Sequence, residues 1–205
     1  FKQHYQTDEA RLHMLPPGIA TDRRAPSNSA ELRQQTRQQW QLCDQHILLL
    51  FIGSGFIKKG LDRAIRAIAS LPGEQRKLCR LMVIGQDKEA RYKRLASELG
   101  VVKNIFFLGG RDDVPALLLA ADLLVHPALD EAAGIVLLEA VVAGLPVIVT
   151  DVCGYAHHVA KAGAGDVLAT PFSQTQLNEA LIRAFNSELR ATWKASALAY
   201  AENED

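Results

Sequence analysis

Two glutamates, Glu131 and Glu139, have the type and spacing that most directly indicate chemistry, because seven small or apolar residues separate them. Ala132, Ala133 and Gly134 follow the first glutamate and leave room for a ligand at the amides of a helix start. A carboxylate in an apolar helix, as expected for Glu139, is costly unless donors bond to it, and a vicinal diol such as ribose offers two. Glu131 could equally be a favourable charge near a helix N-terminus, and Glu139 a solvent-facing rim residue. Together the two carboxylates favour a sugar-nucleotide site.

A second candidate is the segment 53–60, which lies between an apolar run and a helical pattern. It begins with Gly53, Ser54 and Gly55 and ends with Lys58, Lys59 and Gly60. The glycines let backbone amides approach a ligand, and the helix start at Gly60–Leu61 would present free N–H groups and the positive end of the helix dipole. With the two lysines, this arrangement suits a diphosphate. It matches neither a Walker loop nor a GxGxxG pattern, and a tight turn with solvated lysines is the ordinary alternative.

The composition excludes several classes of protein. Lys plus Arg and Asp plus Glu number 23 each, which argues against a nucleic-acid partner held by bulk charge. The three cysteines are widely spaced, so we expect reduced thiols in a reducing, cytoplasmic compartment and no metal site. No apolar run is long enough to span a membrane and no secretory signal opens the chain. Because the sequence begins with Phe1, we expect it to be part of a longer protein.

Apolar runs that end in glycine or polar residues alternate with helical patterns along most of the chain. The predicted strands are 47–52, 81–84, 105–108, 123–125, 147–149 and 167–168, and the helices between them lie near 61–71, 88–99, 113–121, 133–143 and 155–160. A last helix opens at Ser173, with Gln176 completing a capping box. This alternation predicts a Rossmann-like, doubly wound parallel sheet, in which ligands bind beyond the carboxyl ends of the strands.

The polar first part of the chain differs from the rest. We interpret residues 1–45 as a linker with one amphipathic helix near Glu31–Trp40, and residues 46–205 as a single nucleotide-sugar-binding domain. His126, at the end of a predicted strand, is expected to make a structural hydrogen bond at the sheet edge, with a position facing the ligand cleft as the alternative.

The motifs resemble those of the retaining GT-B glycosyltransferases of family 4. The resemblance rests on the glutamate pair, on the segment 53–60, and on the segments 122–127, 144–147 and 151–157. Within that family the chain is similar to bacterial glucosyltransferases that act on the inner-core heptose of lipopolysaccharide. The resemblance implies the C-terminal, donor-binding half of an enzyme for a UDP-sugar, with UDP-glucose expected, while the N-terminal acceptor domain is absent. It also implies that no cofactor or obligatory metal is needed, and that the parent lies in the cytoplasm, peripherally on the inner face of the cytoplasmic membrane.

The resemblance also assigns roles to individual residues. By this resemblance, Lys59 binds the diphosphate with help from Lys58. Glu139 binds the ribose, and Glu131 binds the hydroxyls of the donor sugar. Glu131 and Lys59 are thereby the residues closest to the reaction. The remaining predicted contacts are Gly53, Ser54, Gly85, Arg111 by its backbone against uracil, Ala132, Ala133, Gly134 and Ile135. A non-catalytic nucleotide-sugar-binding module, a GT-B sugar-nucleotide 2-epimerase fragment and an unrelated NAD-binding or response-regulator-like domain are the alternatives.

Overall fold

The computed structural model describes residues 8, 18, 19 and 23–203 of the chain. Within 23–203 it contains six strands and nine α-helices. The strands are β1 (Ile47–Ile52), β2 (Cys79–Ile84), β3 (Ile105–Gly109), β4 (Leu123–His126), β5 (Val147–Thr150) and β6 (Gly165–Leu168). The helices are α1 (Ser29–Gln39), α2 (Leu61–Ser70), α3 (Gly73–Leu78), α4 (Ala90–Glu98), α5 (Val114–Ala120), α6 (Ile135–Val142), α7 (Ala156–Ala162), α8 (Gln174–Arg183) and α9 (Ser187–Asn203).

The six strands form one parallel sheet in the order β3-β2-β1-β4-β5-β6. The chain builds outward from β1 to β3, then returns to the other side of β1 and builds outward again from β4 to β6. The predicted doubly wound sheet is therefore confirmed. The direction of winding changes between β1 and β4, and sheets of this kind bind ligands beyond the carboxyl ends of the strands at that point.

Strand β1 shows why the sheet has two buried faces. Leu48 and Leu50 belong to one apolar cluster, whereas Leu49 and Phe51 belong to the other, as expected when successive side chains point to opposite faces. All four side chains are at most 1% exposed. Helices α5, α6 and α7 cover the cluster of Leu48 and Leu50, and helices α2, α4 and α8 cover the cluster of Leu49 and Phe51. At about 1.5–3 kcal/mol for each large apolar side chain, this burial is what holds the loops in place.

Helix α1 is fastened to the sheet by charge. The carboxylate of Asp122, immediately before β4, accepts hydrogen bonds from Arg33 Nη2 at 2.6 Å and Arg37 Nη1 at 3.2 Å, both on α1. It also accepts one from the backbone N–H of Leu48 at 2.7 Å, so it joins α1, β1 and β4. The predicted helix near Glu31–Trp40 is confirmed within one or two residues. The domain boundary at residue 46 stays a prediction, and the linker expected before residue 23 lies almost entirely outside the described residues.

Two helices differ from the sequence-based expectation. Helix α3 was not predicted because none of its residues is buried, so it carries no apolar periodicity. Helix α9 was missed because its buried positions are one tryptophan and two alanines, Trp193, Ala197 and Ala201, which give only a weak apolar periodicity. The predicted cap of α8 is present, since Ser173 Oγ accepts from the Gln176 amide at 3.3 Å. Among the described helices, none is long and apolar enough to cross a membrane.

Candidate functional site

The loops after β1, β4 and β5 meet at the carboxyl edge of the sheet. The loop after β4 is held against the loop after β5 by two backbone hydrogen bonds, from Gly154 N to Glu131 O at 3.2 Å and from Tyr155 N to Ala133 O at 2.9 Å. A Cβ atom on Gly154 would lie 2.2 Å from the Ala132 carbonyl oxygen, so only glycine allows this approach. The position of Glu131 is thus fixed through its backbone.

The loop after β1 is held in place by a close contact with the loop after β4 and by hydrogen bonds within itself. Gly60, at φ +74°, stands against the carbonyl of Pro127, where a Cβ would approach the oxygen to 2.1 Å. The predicted free N–H groups at Gly60 and Leu61 are wrong. Gly60 N donates to Ile57 O at 3.1 Å and Leu61 N to Phe56 O at 3.0 Å, because the chain makes an extra turn before α2 begins.

Free amides lie instead at the start of α6. Among the described residues, the N–H groups of Ala132, Ala133 and Gly134 donate to no protein acceptor. Ala132 is exposed and Ala133 half-buried, while Ile135, the first residue of α6, is 46% exposed. These amides and the positive end of the helix are able to bind an anion, a role that the sequence predicted for the starts of both α2 and α6.

The central feature of the site is an ion pair between Lys59 Nζ and Glu131 Oε2. Their side chains are only 21% and 13% exposed, and the Lys59 chain lies over Gly53. Burial is the main cause that lowers the pKa of Lys59, with Lys58 acting in the same direction and Cys153 and Asp130 opposing it. The two predicted residues nearest to the reaction are therefore brought together although 72 positions separate them in the sequence.

His126 lies beside this pair, and the expectation for it is wrong. It ends β4, an interior strand, and its side chain is fully buried without a hydrogen-bond partner among the described residues. Its Nε2 is 3.6 Å from Glu131 Oε2, too far for a hydrogen bond. Burial, followed by the charge of Lys59, lowers the pKa of His126 to about 4, so the imidazole is neutral at pH 7 and makes no ion pair.

Glu139 lies on the next two turns of α6. Its side chain is 19% exposed and faces Arg23, whose Nε is 3.5 Å from Glu139 Oε1. Just beyond Arg23, the backbone N–H of Ala25 donates to Val142 O at 3.1 Å and fixes this segment along α6. Glu139 is therefore neither a plain rim residue nor unpartnered, and Arg23 is a contact that no sequence spacing indicated.

The other predicted residues occupy the rim. Lys58 is exposed and pairs with Asp130 at 3.3 Å. Arg111 is exposed and makes two hydrogen bonds to Asp113, at 2.8 and 2.6 Å, while its guanidinium lies 5.6 Å from the Trp40 ring centre. Its side chain is thus paired with Asp113, and the contact of its backbone with uracil stays a prediction.

Gly85 and Ser54 brace the loop after β1. A Cβ on Gly85 would lie 2.5 Å from Gly53 O, and Ser54 Oγ accepts from the Gln86 amide at 3.1 Å. Asp87, which sequence reasoning missed, accepts from Phe56 N at 2.7 Å. The amides of Lys88 and Phe56 hold the pKa of Asp87 below its usual range. In a strand-to-helix loop, a carboxylate two positions after a glycine is the signal that could have identified it.

The described residues include no group of three or more His, Cys, Asp or Glu side chains arranged to hold a metal ion. All three thiols are free, with Cys79 and Cys153 buried and Cys43 exposed. What the site offers a ligand is one lysine, one carboxylate beside it, three free amides and a second carboxylate two turns along α6. Such a set can bind an anionic group next to a polyhydroxylated one.

Comparison with known proteins gives this geometry a family. Residues 33–199 match the family model described as glycosyl transferases group 1. The lipopolysaccharide glucosyltransferase WaaG of Escherichia coli K12 is 51% identical over 206 residues, covering 100% of this chain and 55% of the relative. A crystal structure of WaaG superposes with a TM-score of 0.95 at the same identity, again covering 100% and 55% of the two chains.

Two further solved structures are similar. Anabaena HepE in complex with UDP-glucose has a TM-score of 0.75 and 25% identity, covering 91% of this chain and 51% of that one. The isolated C-terminal domain of the group 1 glycosyl transferase LpcC of Francisella tularensis shares the fold at 23% identity and a TM-score of 0.73, covering 91% and 98%. The chain spans about half the length of the longer relatives. It belongs to the group 1 glycosyl transferases, with the fold of GT-B enzymes.

Proposed function

We propose that this chain is the donor-binding part of a retaining hexosyltransferase that uses a UDP-sugar, with UDP-glucose as the expected donor. The observation that carries the proposal is the Lys59–Glu131 ion pair beside the free amides of Ala132, Ala133 and Gly134. A cation and three N–H groups match a diphosphate, and a carboxylate next to them matches sugar hydroxyls. Glu139, two turns away, matches the ribose diol.

The charges suggest how the site would work. In the absence of a ligand, Lys59 and Glu131 neutralise each other; a bound diphosphate competes for the lysine. As the bond between the sugar's anomeric carbon and the diphosphate oxygen breaks, negative charge grows on the diphosphate. Lys59 and the α6 amides stabilise that charge in a partly buried site, where fixed charges and dipoles act most strongly. Glu131 positions the sugar and is not the nucleophile.

The acceptor is proposed from the names of the relatives and not from contacts. The relative that is 51% identical to this chain is a lipopolysaccharide glucosyltransferase. We therefore propose that a longer protein containing this chain transfers a hexose to the lipopolysaccharide inner core. Such an acceptor is lipid-linked, and we therefore propose a cytoplasmic enzyme that associates peripherally with the inner face of the cytoplasmic membrane. No cofactor or divalent metal is required in this mechanism, so turnover by the longer protein is expected to persist in EDTA.

Calorimetric titration with UDP, ADP and NAD tests the donor assignment. We expect selective binding of UDP, weakened about tenfold or more by Lys59→Ala and by Glu139→Ala, because each removes a charged hydrogen-bonding partner. Lys103→Ala and Glu98→Ala change exposed residues of the same types outside the site and serve as matched controls. The chain alone is expected to bind nucleotide weakly without turnover. Preference for ADP or NAD, or equal losses in the controls, would contradict the assignment.

A further inference from the structure

The imidazole of His126 is buried and lacks polar partners. It is 0% exposed, both ring nitrogens lack a hydrogen-bond partner among the described residues, and one face stacks on Phe51 with ring centres 6.4 Å apart. A buried polar group without a partner is unfavourable, and native structures contain few of them. An apolar side chain of similar size would fit this position at the end of β4 more favourably. The position therefore has an unused hydrogen-bonding capacity next to the proposed donor site.

The ring lies close to a carboxylate of the site itself. His126 Nε2 lies 3.6 Å from Glu131 Oε2, the same carboxylate oxygen that pairs with Lys59. A shift of about 0.7 Å would bring this separation to the usual length of an N–H···O hydrogen bond. The ring thus lies beside the Glu131 carboxylate and the face of Phe51 and within the field of the Lys59 ammonium.

Ligand binding changes what Glu131 needs. While Lys59 pairs with it, the carboxylate has a counter-ion. When a donor diphosphate attracts Lys59, a carboxylate that is 13% exposed is left without its cation and needs N–H or O–H donors instead. The sugar hydroxyls can supply some of these donors. The neutral imidazole, fixed by packing on the protein side, can supply another.

We propose that His126 is a positioning residue for donor binding: its Nε2–H donates to the Glu131 carboxylate once the diphosphate has drawn Lys59 away. The hydrogen bond orients Glu131, so that its remaining lone pairs face the hydroxyls of the transferred sugar. This inference rests on the proposed function and deepens it. It assigns to the end of β4 a role in recognising the sugar, in addition to the role of the loop that follows.

Two substitutions separate positioning from packing. His126→Leu keeps the approximate volume and removes both nitrogens, whereas His126→Gln keeps an N–H near the place of Nε2. We expect His126→Leu to unfold at the same or a higher temperature than the wild type, because an unpartnered polar group is removed. Its affinity for UDP-glucose is expected to fall about tenfold, the effect of one lost hydrogen bond to a charged group.

The effect should depend on the sugar. Without the sugar, water can reach Glu131, so the affinity for UDP is expected to change less than about threefold in His126→Leu. His126→Gln is expected to restore most of the affinity for UDP-glucose. A matched control is His46→Leu, at the other end of the sheet, whose ring contacts the Cys43 amide and Arg80. It is expected to lower the unfolding temperature without changing either affinity.

A spectroscopic measurement reports the bond directly. With ¹⁵N-labelled histidine at pH 7, the His126 ring is expected to be neutral, and UDP-glucose and UDP, which both carry the diphosphate, should each shift its Nε2 proton downfield. Unchanged UDP-glucose affinity in His126→Leu overturns the inference and leaves the donor site intact. A parallel loss of stability and affinity in both His126 variants also overturns it, since that pattern indicates packing. If the wild type binds neither UDP nor UDP-glucose, the proposed function itself fails.

Discussion

Replacement of Asp122 by alanine should destabilise the domain more than any comparable change at its surface. The carboxylate is 12% exposed and serves Arg33, Arg37 and the Leu48 amide at once. Arg33 is partly exposed, so loss of its ion pair with Asp122 contributes little to the destabilisation. Arg37 is only 7% exposed, and removing its counter-ion leaves a buried charge whose remaining bonds are to backbone carbonyls.

The magnitude follows from these two losses. Breaking a buried ion pair from one side costs about 3–5 kcal/mol, and the unsatisfied Leu48 amide adds about 1–3 kcal/mol, part of which overlaps with the first figure. We therefore expect Asp122→Ala to lower the free energy of unfolding by about 3–5 kcal/mol. For a domain of this size that is roughly 6–20 °C in melting temperature.

Urea unfolding followed by far-UV circular dichroism measures the change. Arg37→Leu in the Asp122→Ala background should lower the free energy of unfolding much less than Arg37→Leu alone, because it then removes an unpaired charge. The double-mutant cycle gives the coupling energy between the two residues. Asp112→Ala, at an exposed carboxylate, is the control and should stay within about 0.5 kcal/mol of the wild type. A loss below about 1 kcal/mol for Asp122→Ala, or strictly additive effects with Arg37→Leu, would refute the reasoning.

Three further outcomes are expected. Gly154→Ala should lower stability by about 1–3 kcal/mol and weaken UDP binding, because its Cβ would meet Ala132 O at 2.2 Å. An unchanged stability in urea titration would show that the loops after β4 and β5 separate freely. The pKa of His126 is about 4 in the fold against 6.5 for a free imidazole, so the unfolded chain binds the extra proton first and stability falls as pH drops from 6.5 to 4, by up to about 3 kcal/mol from this group. Between pH 7 and 4, His126→Leu should lose correspondingly less free energy of unfolding than the wild type. An equal loss in both proteins would contradict the lowered pKa of His126. With a chromogenic disulfide reagent, exposed Cys43 should react quickly, and Cys79, whose pKa burial raises to about 12, only on unfolding; equal rates would contradict the buried position.

The sequence predicted the sheet well because burial on both faces leaves an unambiguous signature. The run Ile47–Ile52 is apolar throughout, and all six predicted strands are present. Helices α3 and α9 were missed, since one buries nothing and the other buries mainly alanines. Local pattern is a weak guide wherever a helix packs through small residues or not at all.

The sequence identified residues that the fold brings to the candidate site, but not the contacts among them. Glu131, Glu139 and Lys59 were identified from their types and from their places at strand ends, whereas the pairing of Lys59 with Glu131 depends on how two distant loops fold. Free amides were predicted at the starts of both α2 and α6, and those at Gly60 and Leu61 were wrong because hydrogen bonds inside 56–61 cannot be derived from composition. Arg23 carried no motif, and His126 was expected to form a hydrogen bond at the sheet edge; only the fold brings them to the two glutamates.

The strand order has a consequence for synthesis of the chain. β1, β2 and β3 are consecutive in sequence and pair with one another, whereas β4 completes the other side of β1. At about 5–20 residues per second, β4 leaves the ribosome roughly 4–15 s after β1. During that interval the second edge of β1 and the side chains of Leu48 and Leu50 lack the cover that β4 and the later helices provide. Nascent chains of this protein are thus expected to need a chaperone most while the segment between β1 and β4 is being made.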